Sequence, residues 1–400
     1  MAASLDGEIV DLAALSRRRT RRGTVAARWT SRRIGLFNGK PQVEAFRNMA
    51  TIRPCRVLRR SDRPVPLARG AEAGLPAGYR FREQPCVTEA FLADTETVGL
   101  IALKDGRVAF ERYWLGQDAT MPWTSFSVVK SMVSALIGIA LHDGLIADIG
   151  RAVTDYLPEL KGSAFDGVSI KTVLEMSSGM RWNENYSDPE AEITRYGQEM
   201  DGGSLDRIAV GSVREYPPDT QFRYNSMETH VLGMLLVRVA QASLSDLLRE
   251  KIWNPCGMED DAFFSVDGKG MEAAAGGLCA TLRDYARFGQ LYLEEGAHDG
   301  RQVVPAAWVR TSTRANAPHV APGALFPGYP FGYGYQWWLP DGSGTFCAIG
   351  IYNQFIYVDP ARRVVIAKNS ANRNYARSYD EAGYRELEHM ALFRAIAEAL

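Results

Sequence analysis

Ser127 and Lys130 stand three residues apart in "SFSVVKSMVSALIGIALHDGL" (125–145), where a strongly apolar stretch of the chain begins. Residues i and i+3 of a helix share a face, so the Lys130 amine comes within reach of the Ser127 hydroxyl. A helix N-terminus offers unpaired N–H groups and a positive dipole end, both favourable to an oxyanion beside a serine nucleophile. A lysine in apolar surroundings loses part of its preference for the charged form and becomes able to accept a proton from serine. Only 8 of the 46 basic residues are lysines, so one inside a core helix is informative. On these residues alone two readings carry equal weight. One is an activated nucleophile; the other is a helix-start serine beside a snorkelling lysine, because Ser-x-x-Lys arises about once by chance in such a chain.

The elements that must hold this pair are partly legible. Val128, Val129, Met132, Val133, Leu136, Ile137, Ile139 and Leu141 predict a helix apolar nearly all round, buried rather than amphipathic and ended at Gly144. Before it, "VGLIALKDGRVAFERYW" predicts a hairpin turning at Asp105-Gly106, and "QFIYVDPARRVVIAK" predicts another turning at residues 359–362. Between them, "SIKTVLEMSSGM", "METHVLGMLLVRVAQ" and "TLRDYARFGQLYLEEG" carry helical spacing with polar starts, and a last helix closes the chain. Strands early and late with helices between imply one sheet closed by both chain ends, with a mainly helical domain inserted. The divisions expected are an irregular, Arg- and Pro-rich extension at 1–90, an α/β domain from 91–150 and 330–400, and a helical domain at 151–329.

Composition excludes several functions. With 46 basic and 47 acidic residues the chain has no general affinity for nucleic acid or membrane surfaces. The arginine-rich segment at 16–33 reads as a solvated extension, with a basic arm for an acidic partner as the alternative. No apolar run reaches the length of a membrane span, and the N-terminus lacks the order of a signal peptide, so a cytoplasmic location is expected. Five widely spaced cysteines imply reduced thiols, and no His or Cys pattern has metal-ligand spacing, so neither metal nor organic cofactor is expected.

Further motifs follow in order: "SIKTVLEMSSGM", "QFRYNSMETHVLG" (221–233), "AAAGGLCATLRDYARFGQLYL" and "IGIYNQFIYVDP" (349–360). With Ser-x-x-Lys, they make residues 95–400 resemble the serine β-lactamase and penicillin-binding-protein superfamily. The likeness is to its class C branch, with its esterases and 6-aminohexanoate-dimer hydrolases. "NMATIRPCRVLRR" (48–60) also resembles the N-terminal region of the latter. This resemblance implies an α/β (α+β) fold of β-lactamase/transpeptidase type, an antiparallel sheet flanked by helices with the inserted helical domain. The active site then lies in the cleft between them.

It also implies roles. Ser127 matches the acylated nucleophile, Lys130 its hydrogen-bonded partner, and Tyr224 the tyrosine that exchanges protons as base and acid. The N–H groups of Ser127 and Ile351, the latter just after Ala348-Ile349-Gly350, match the oxyanion hole. Tyr186 matches a tyrosine at the scissile group and Trp338 a substrate-packing tryptophan, with Gly350, Tyr352 and Asn353 completing the expected lining. Departures narrow the substrate. Ala348 stands where a cation binds the carboxylate of β-lactams, and Gly197 stands where the dimer hydrolases carry an amine-binding aspartate, unless Asp188, Glu190 or Glu192 substitutes. Glu228 stands where relatives often carry Asn after the tyrosine motif. The expectation is a serine hydrolase acting through an acyl-enzyme on a small ester or amide, with a dimer hydrolase or a non-catalytic binding member as alternatives. The oligomeric state, monomer or homodimer, stays open.

Overall fold

The computed structural model describes residues 9–10, 36–378 and 380–400, so the arginine-rich segment at 16–33 lies outside the described residues. Strands β1 (Thr97–Lys104) and β2 (Arg107–Tyr113) form the expected hairpin. Asp105 and Gly106 have φ of 49° and 75°, the positive values that a two-residue loop needs to match strand twist. Five later strands, β3 (Gly332–Tyr333), β4 (Trp338–Leu339), β5 (Phe346–Gly350), β6 (Gln354–Asp359) and β7 (Val364–Ser370), join them. The seven-stranded antiparallel sheet has the order β3-β4-β5-β6-β7-β1-β2. The two chain segments thus meet at β7 and β1, as strands at both ends of the sequence required.

Helices α1 (Val129–His142), α2 (Ile170–Leu174), α3 (Ser226–Ala240), α4 (Leu282–Leu293) and α5 (Glu386–Ala399) cover this sheet and fill the inserted layer. The two-residue alternation of the central strands divides their side chains between two cores. Ile101, Leu103, Ile356, Val365 and Ala367 pack with Leu282, Ala286 and Phe288 of α4. Leu100, Ala102, Phe355, Tyr357 and Ile366 pack with Met390, Phe393 and Ile396 of α5. Covering on both faces explains why β1 and β7 are apolar nearly throughout. It also moves one expected boundary: α4, placed at 151–329 with the helical domain, lies against the sheet because its apolar stripe matches that face.

Helix α1 is buried from Val129 to Ala140, which accounts for its all-round hydrophobicity. It stops where expected, with Gly144 at φ 75° and the Leu145 N–H donating to the Ala140 carbonyl at 2.9 Å. No single helix among the described residues is long and apolar enough to cross a membrane.

The extension expected at 1–90 needs correction. Cys55–Leu58 is a strand of a second antiparallel sheet, ordered Ile9–Val10, Cys55–Leu58, Ala262–Ser265, Leu278–Ala280 and Trp123–Thr124. These strands are two to four residues long, too short for alternation to show, and their pairing spans up to about half the chain. A further hairpin joins Gly78–Phe81 to Gln84–Val87. The second sheet matters for function because Trp123–Thr124 runs directly into Ser127.

Candidate active site

Ser127 is fixed from both sides. Upstream, Trp123 and Thr124 pair with Ala280 and Cys279, and the Ser125 N–H donates to the Leu278 carbonyl at 2.7 Å. Downstream, a 3₁₀ turn over Phe126–Val128 feeds α1. Phe126 takes φ 43°, a left-handed conformation unusual for an aromatic residue and of the kind found where a site over-determines the backbone. The end of β5 presses on this turn. A Cβ at Gly350 would lie 2.5 Å from the Ser125 carbonyl oxygen and 3.2 Å from the Ser127 nitrogen, so only glycine admits the approach. That approach brings Ile351 beside Ser127, and both line the same two cavities.

Lys130, one turn along α1, is 2% exposed. Its Nζ donates to the Ala275 carbonyl at 2.7 Å and to Ser226 Oγ at 3.0 Å rather than to Ser127, which corrects the direct hydrogen bond that the resemblance implied. Burial drives its pKa down to about 8, against the opposing pull of the Glu184 carboxylate. Tyr224 and Ser226 straddle Asn225, which caps α3 by accepting from the Met227 N–H at 2.8 Å. The cap therefore sets both residues at once, Ser226 toward Lys130 and Tyr224 toward the nucleophile. Tyr224 stacks on Trp338 with ring centroids 5.3 Å apart, and the Lys130 ammonium lies 5.4 Å from its ring centroid. Burial and then the negative Glu184 push the Tyr224 phenol well above its ordinary pKa, while a hydrogen bond with Ser127 opposes them. The phenol stays protonated in the resting enzyme. Lys130 is thus the group that becomes neutral first as pH rises.

Glu184 is the residue that pattern reading missed. Its carboxylate accepts from Ser226 Oγ at 2.6 Å, from the Ser226 N–H at 3.1 Å, from the Tyr186 hydroxyl at 2.7 Å and from the Trp182 indole. A relay results: carboxylate to serine to lysine. Its only signal in the sequence was its place two residues before Tyr186. The candidate substitutes Asp188, Glu190 and Glu192 line neither cavity. Asp188 instead accepts from the Asn183 side chain and Glu192 from the Asn183 N–H. Acylation should therefore accelerate with rising pH through an apparent pKa near 8 as Lys130 loses its proton. Because Glu184 raises the Lys130 pKa, Glu184→Gln should move that limb toward lower pH. Stopped-flow acylation across pH 6–10 checks both, and a flat profile, or a limb displaced upward in the variant, would contradict the assignment.

Two cavities meet at Ser127. One, of about 480 Å³, is lined mainly by apolar groups that include Leu36, Met49, Ile193, Met200 and Ala275. The other, of about 650 Å³, runs past Tyr224, Trp338, Ile349 and Gly350 toward Tyr329 and Glu386. Tyr186 and Ile351 belong to both, and Phe37 stacks on Tyr186 with centroids 4.6 Å apart. Burial pushes the Glu386 carboxyl up to about 7. Glu228 is buried in the first turn of α3. Its carboxyl, pushed by burial up to about 8, accepts from Ser178 Oγ at 2.7 Å. It ties α3 to the turn whose Met176 carbonyl accepts from the Arg223 N–H.

Tyr352 and Asn353 are corrected as lining residues. Both take positive φ, 63° and 67°, to reverse the chain between β5 and β6, which turns their side chains away from the cavities. Tyr352 is buried among Phe37, Phe46 and Phe126, and its hydroxyl accepts from the Phe37 N–H. Asn353 donates to the Tyr384 carbonyl at 2.7 Å and accepts from Asn372 at 2.8 Å. Of groups that could ligate a cation, Glu175, Asp219 and His319 bring one atom each within 4.8 Å of the others. Lys171 already supplies a countercharge 3.1 Å from Glu175. These three residues line neither cavity at Ser127.

This arrangement has relatives. A family model described as Beta-lactamase matches residues 87–391. The chain is 31% identical over 293 residues to the 6-aminohexanoate-dimer hydrolase of Paenarthrobacter ureafaciens, over 71% of this chain and 74% of that one. It superposes with a TM-score of 0.81 on a proposed 6-aminohexanoate-dimer hydrolase from Bacillus anthracis, at 23% identity, covering 90% of this chain and 94% of the other. A family VIII carboxylesterase shares the fold at a TM-score of 0.60 and 16% identity, over 78% of this chain and 95% of its own. With the β-lactamase/transpeptidase-like architecture and the match across most of its length, this chain belongs to the beta-lactamase family.

Proposed function

We propose that this protein is a serine hydrolase that cleaves small esters or amides through an acyl-enzyme on Ser127. The observation that carries this is the position of Ser127 at the junction of two cavities, one turn from the buried Lys130, whose ammonium faces the Tyr224 ring. Ser127 Oγ attacks the carbonyl carbon while neutral Lys130 draws its proton through the Lys130–Tyr224 pair. The N–H groups of Ser127 and Ile351 take the developing oxyanion, a role that needs backbone rather than a particular side chain. Tyr224 passes the proton to the departing oxygen or nitrogen, and water then releases the acyl group by the reverse transfers. A fluorophosphonate probe tests the assignment: it should add to Ser127 and to no other serine. Failure to label would favour the alternative of a non-catalytic binding member of the fold.

Ala348 itself supplies no cation for a β-lactam carboxylate, and Gly197 contributes no side chain to the apolar cavity. Aryl esters need less help with their leaving group than amides do. Hydrolysis of short-chain aryl esters is therefore expected, with weak turnover of penicillins and of linear aminohexanoate dimers. The likeness to the Paenarthrobacter enzyme supports amide cleavage as the second reading. Comparing kcat/KM over the three substrate classes decides between them; a penicillin or a dimer turned over faster than every simple ester would reverse the order proposed.

A further inference from the structure

Arg53 supplies the charged side chain of the apolar cavity among the described residues. It ends the short helix Met49–Ile52, its N–H donating to the Met49 carbonyl at 3.2 Å, and the strand Cys55–Leu58 follows. Its backbone is therefore held between two ordered elements. The side chain is 12% exposed, and Asp201 approaches one terminal nitrogen at 3.5 Å. That single contact is long and leaves most of a guanidinium's five donors to other acceptors. A cation so buried is costly unless paired and hydrogen-bonded, and here burial outweighs Asp201, holding the guanidinium below its usual pKa. The cavity thus combines an apolar wall with a guanidinium whose compensation is incomplete.

The catalytic geometry says which half of a substrate enters this cavity. Tyr224 lines the larger cavity and not this one, so the group that it protonates on leaving departs on the larger side. The acyl group is left to extend past Met49, Ile193 and Met200 toward Arg53. We infer that Arg53 binds a carboxylate at the far end of the acyl chain, so that the preferred substrates are esters or amides of linear dicarboxylic acids. This rests on the serine-hydrolase reading. The step balances as ordinary hydrolysis: the acyl C–O or C–N bond breaks as Ser127 Oγ bonds the carbonyl carbon, and the serine proton goes to the leaving atom. Water then cleaves the acyl-enzyme to a free dicarboxylic acid and restores Ser127. The acyl groups favoured are thus neutral near the reacting carbonyl and anionic at the distal end.

The test compares 4-nitrophenyl monoesters of three six-carbon acids: adipate, hexanoate and 6-aminohexanoate. A charge-assisted guanidinium–carboxylate contact should favour adipate over hexanoate by about 10- to 100-fold in kcat/KM, with 6-aminohexanoate poorest. Arg53→Gln should collapse the adipate-to-hexanoate ratio toward one, and Arg53→Lys should keep part of it. Equal rates for all three esters in the native protein, or an unchanged ratio in Arg53→Gln, overturns the inference while leaving the hydrolase reading intact. Binding gives an arm independent of turnover. By calorimetry, Ser127→Ala should bind N-phenyladipamic acid more tightly than N-phenylhexanamide, and Ser127→Ala/Arg53→Gln should not. Equal binding of the two amides by Ser127→Ala overturns the carboxylate subsite even if no ester is cleaved.

Discussion

Ser127→Ala is expected to lower turnover by roughly 10⁴-fold or more, the scale set by removing the nucleophile of a catalytic unit. The substitution deletes one oxygen at a position whose backbone is held by the second sheet, by α1 and by the end of β5. Its packing consequence is small, and the thermal midpoint should stay within a few degrees of the native value. Loss of activity with an unchanged melting transition separates chemistry from folding. Turnover in Ser127→Ala within tenfold of native would mean that a different group attacks the substrate, and a phosphonate adduct on that group would identify it.

The second large effect concerns the proton pair. Tyr224→Phe and removal of the Lys130 amine should each cost at least about 10²-fold in kcat, because each takes away a proton donor or acceptor in the transition state. Tyr224→Phe is the cleaner change, since the ring keeps its stacking on Trp338 and only the hydroxyl goes. Lys130→Ala would also leave the Ala275 carbonyl and Ser226 Oγ without the amine and open a cavity in a buried helix. Either change leaves those two partners unsatisfied at about 1–3 kcal/mol each, but Lys130→Met keeps the volume and avoids the cavity, so it is the better comparison. Residues acting as one unit lose most of their effect once. The double variant Lys130→Met/Tyr224→Phe should accordingly be little slower than the worse single variant. Near-native rates in either single variant, with Ser127 still essential, would remove that residue from the proton path.

Glu184 modifies both effects without being needed for either bond change. It shares Ser226 with Lys130 and sits in the hydrogen-bond reach of Tyr186, and its charge raises the pH at which the buried lysine becomes neutral. Its removal should appear in the pH profile of acylation before it appears in the maximal rate.

What the sequence determined by itself is local. The three-residue spacing of Ser127 and Lys130, the all-round apolar helix that follows Ser127 and carries Lys130, its stop at Gly144 and the Asp105-Gly106 hairpin each depend on side chains within a few residues of one another. Helical and strand periods, glycine at positive φ and two-residue loops act over that range, so these features survive in any packing compatible with them. The ordered motifs extended this to a fold and to Tyr224 through resemblance, which carries tertiary information that composition and spacing lack. The tertiary structure alone decided the rest. Glu184 reaches Lys130 only through Ser226, 42 residues away in the chain. Arg53 enters a cavity at Ser127 because the strand after it pairs across a long sequence separation and is too brief to leave a period, and Phe37 enters it through contacts with Tyr186 and Tyr352. Tyr352 and Asn353 follow Ile351 directly, yet the reversal of the backbone between β5 and β6 points them into the core. Proximity along the chain is not proximity in the fold where the backbone turns, and the charges that tune this site come from segments that only the packed sheets bring together.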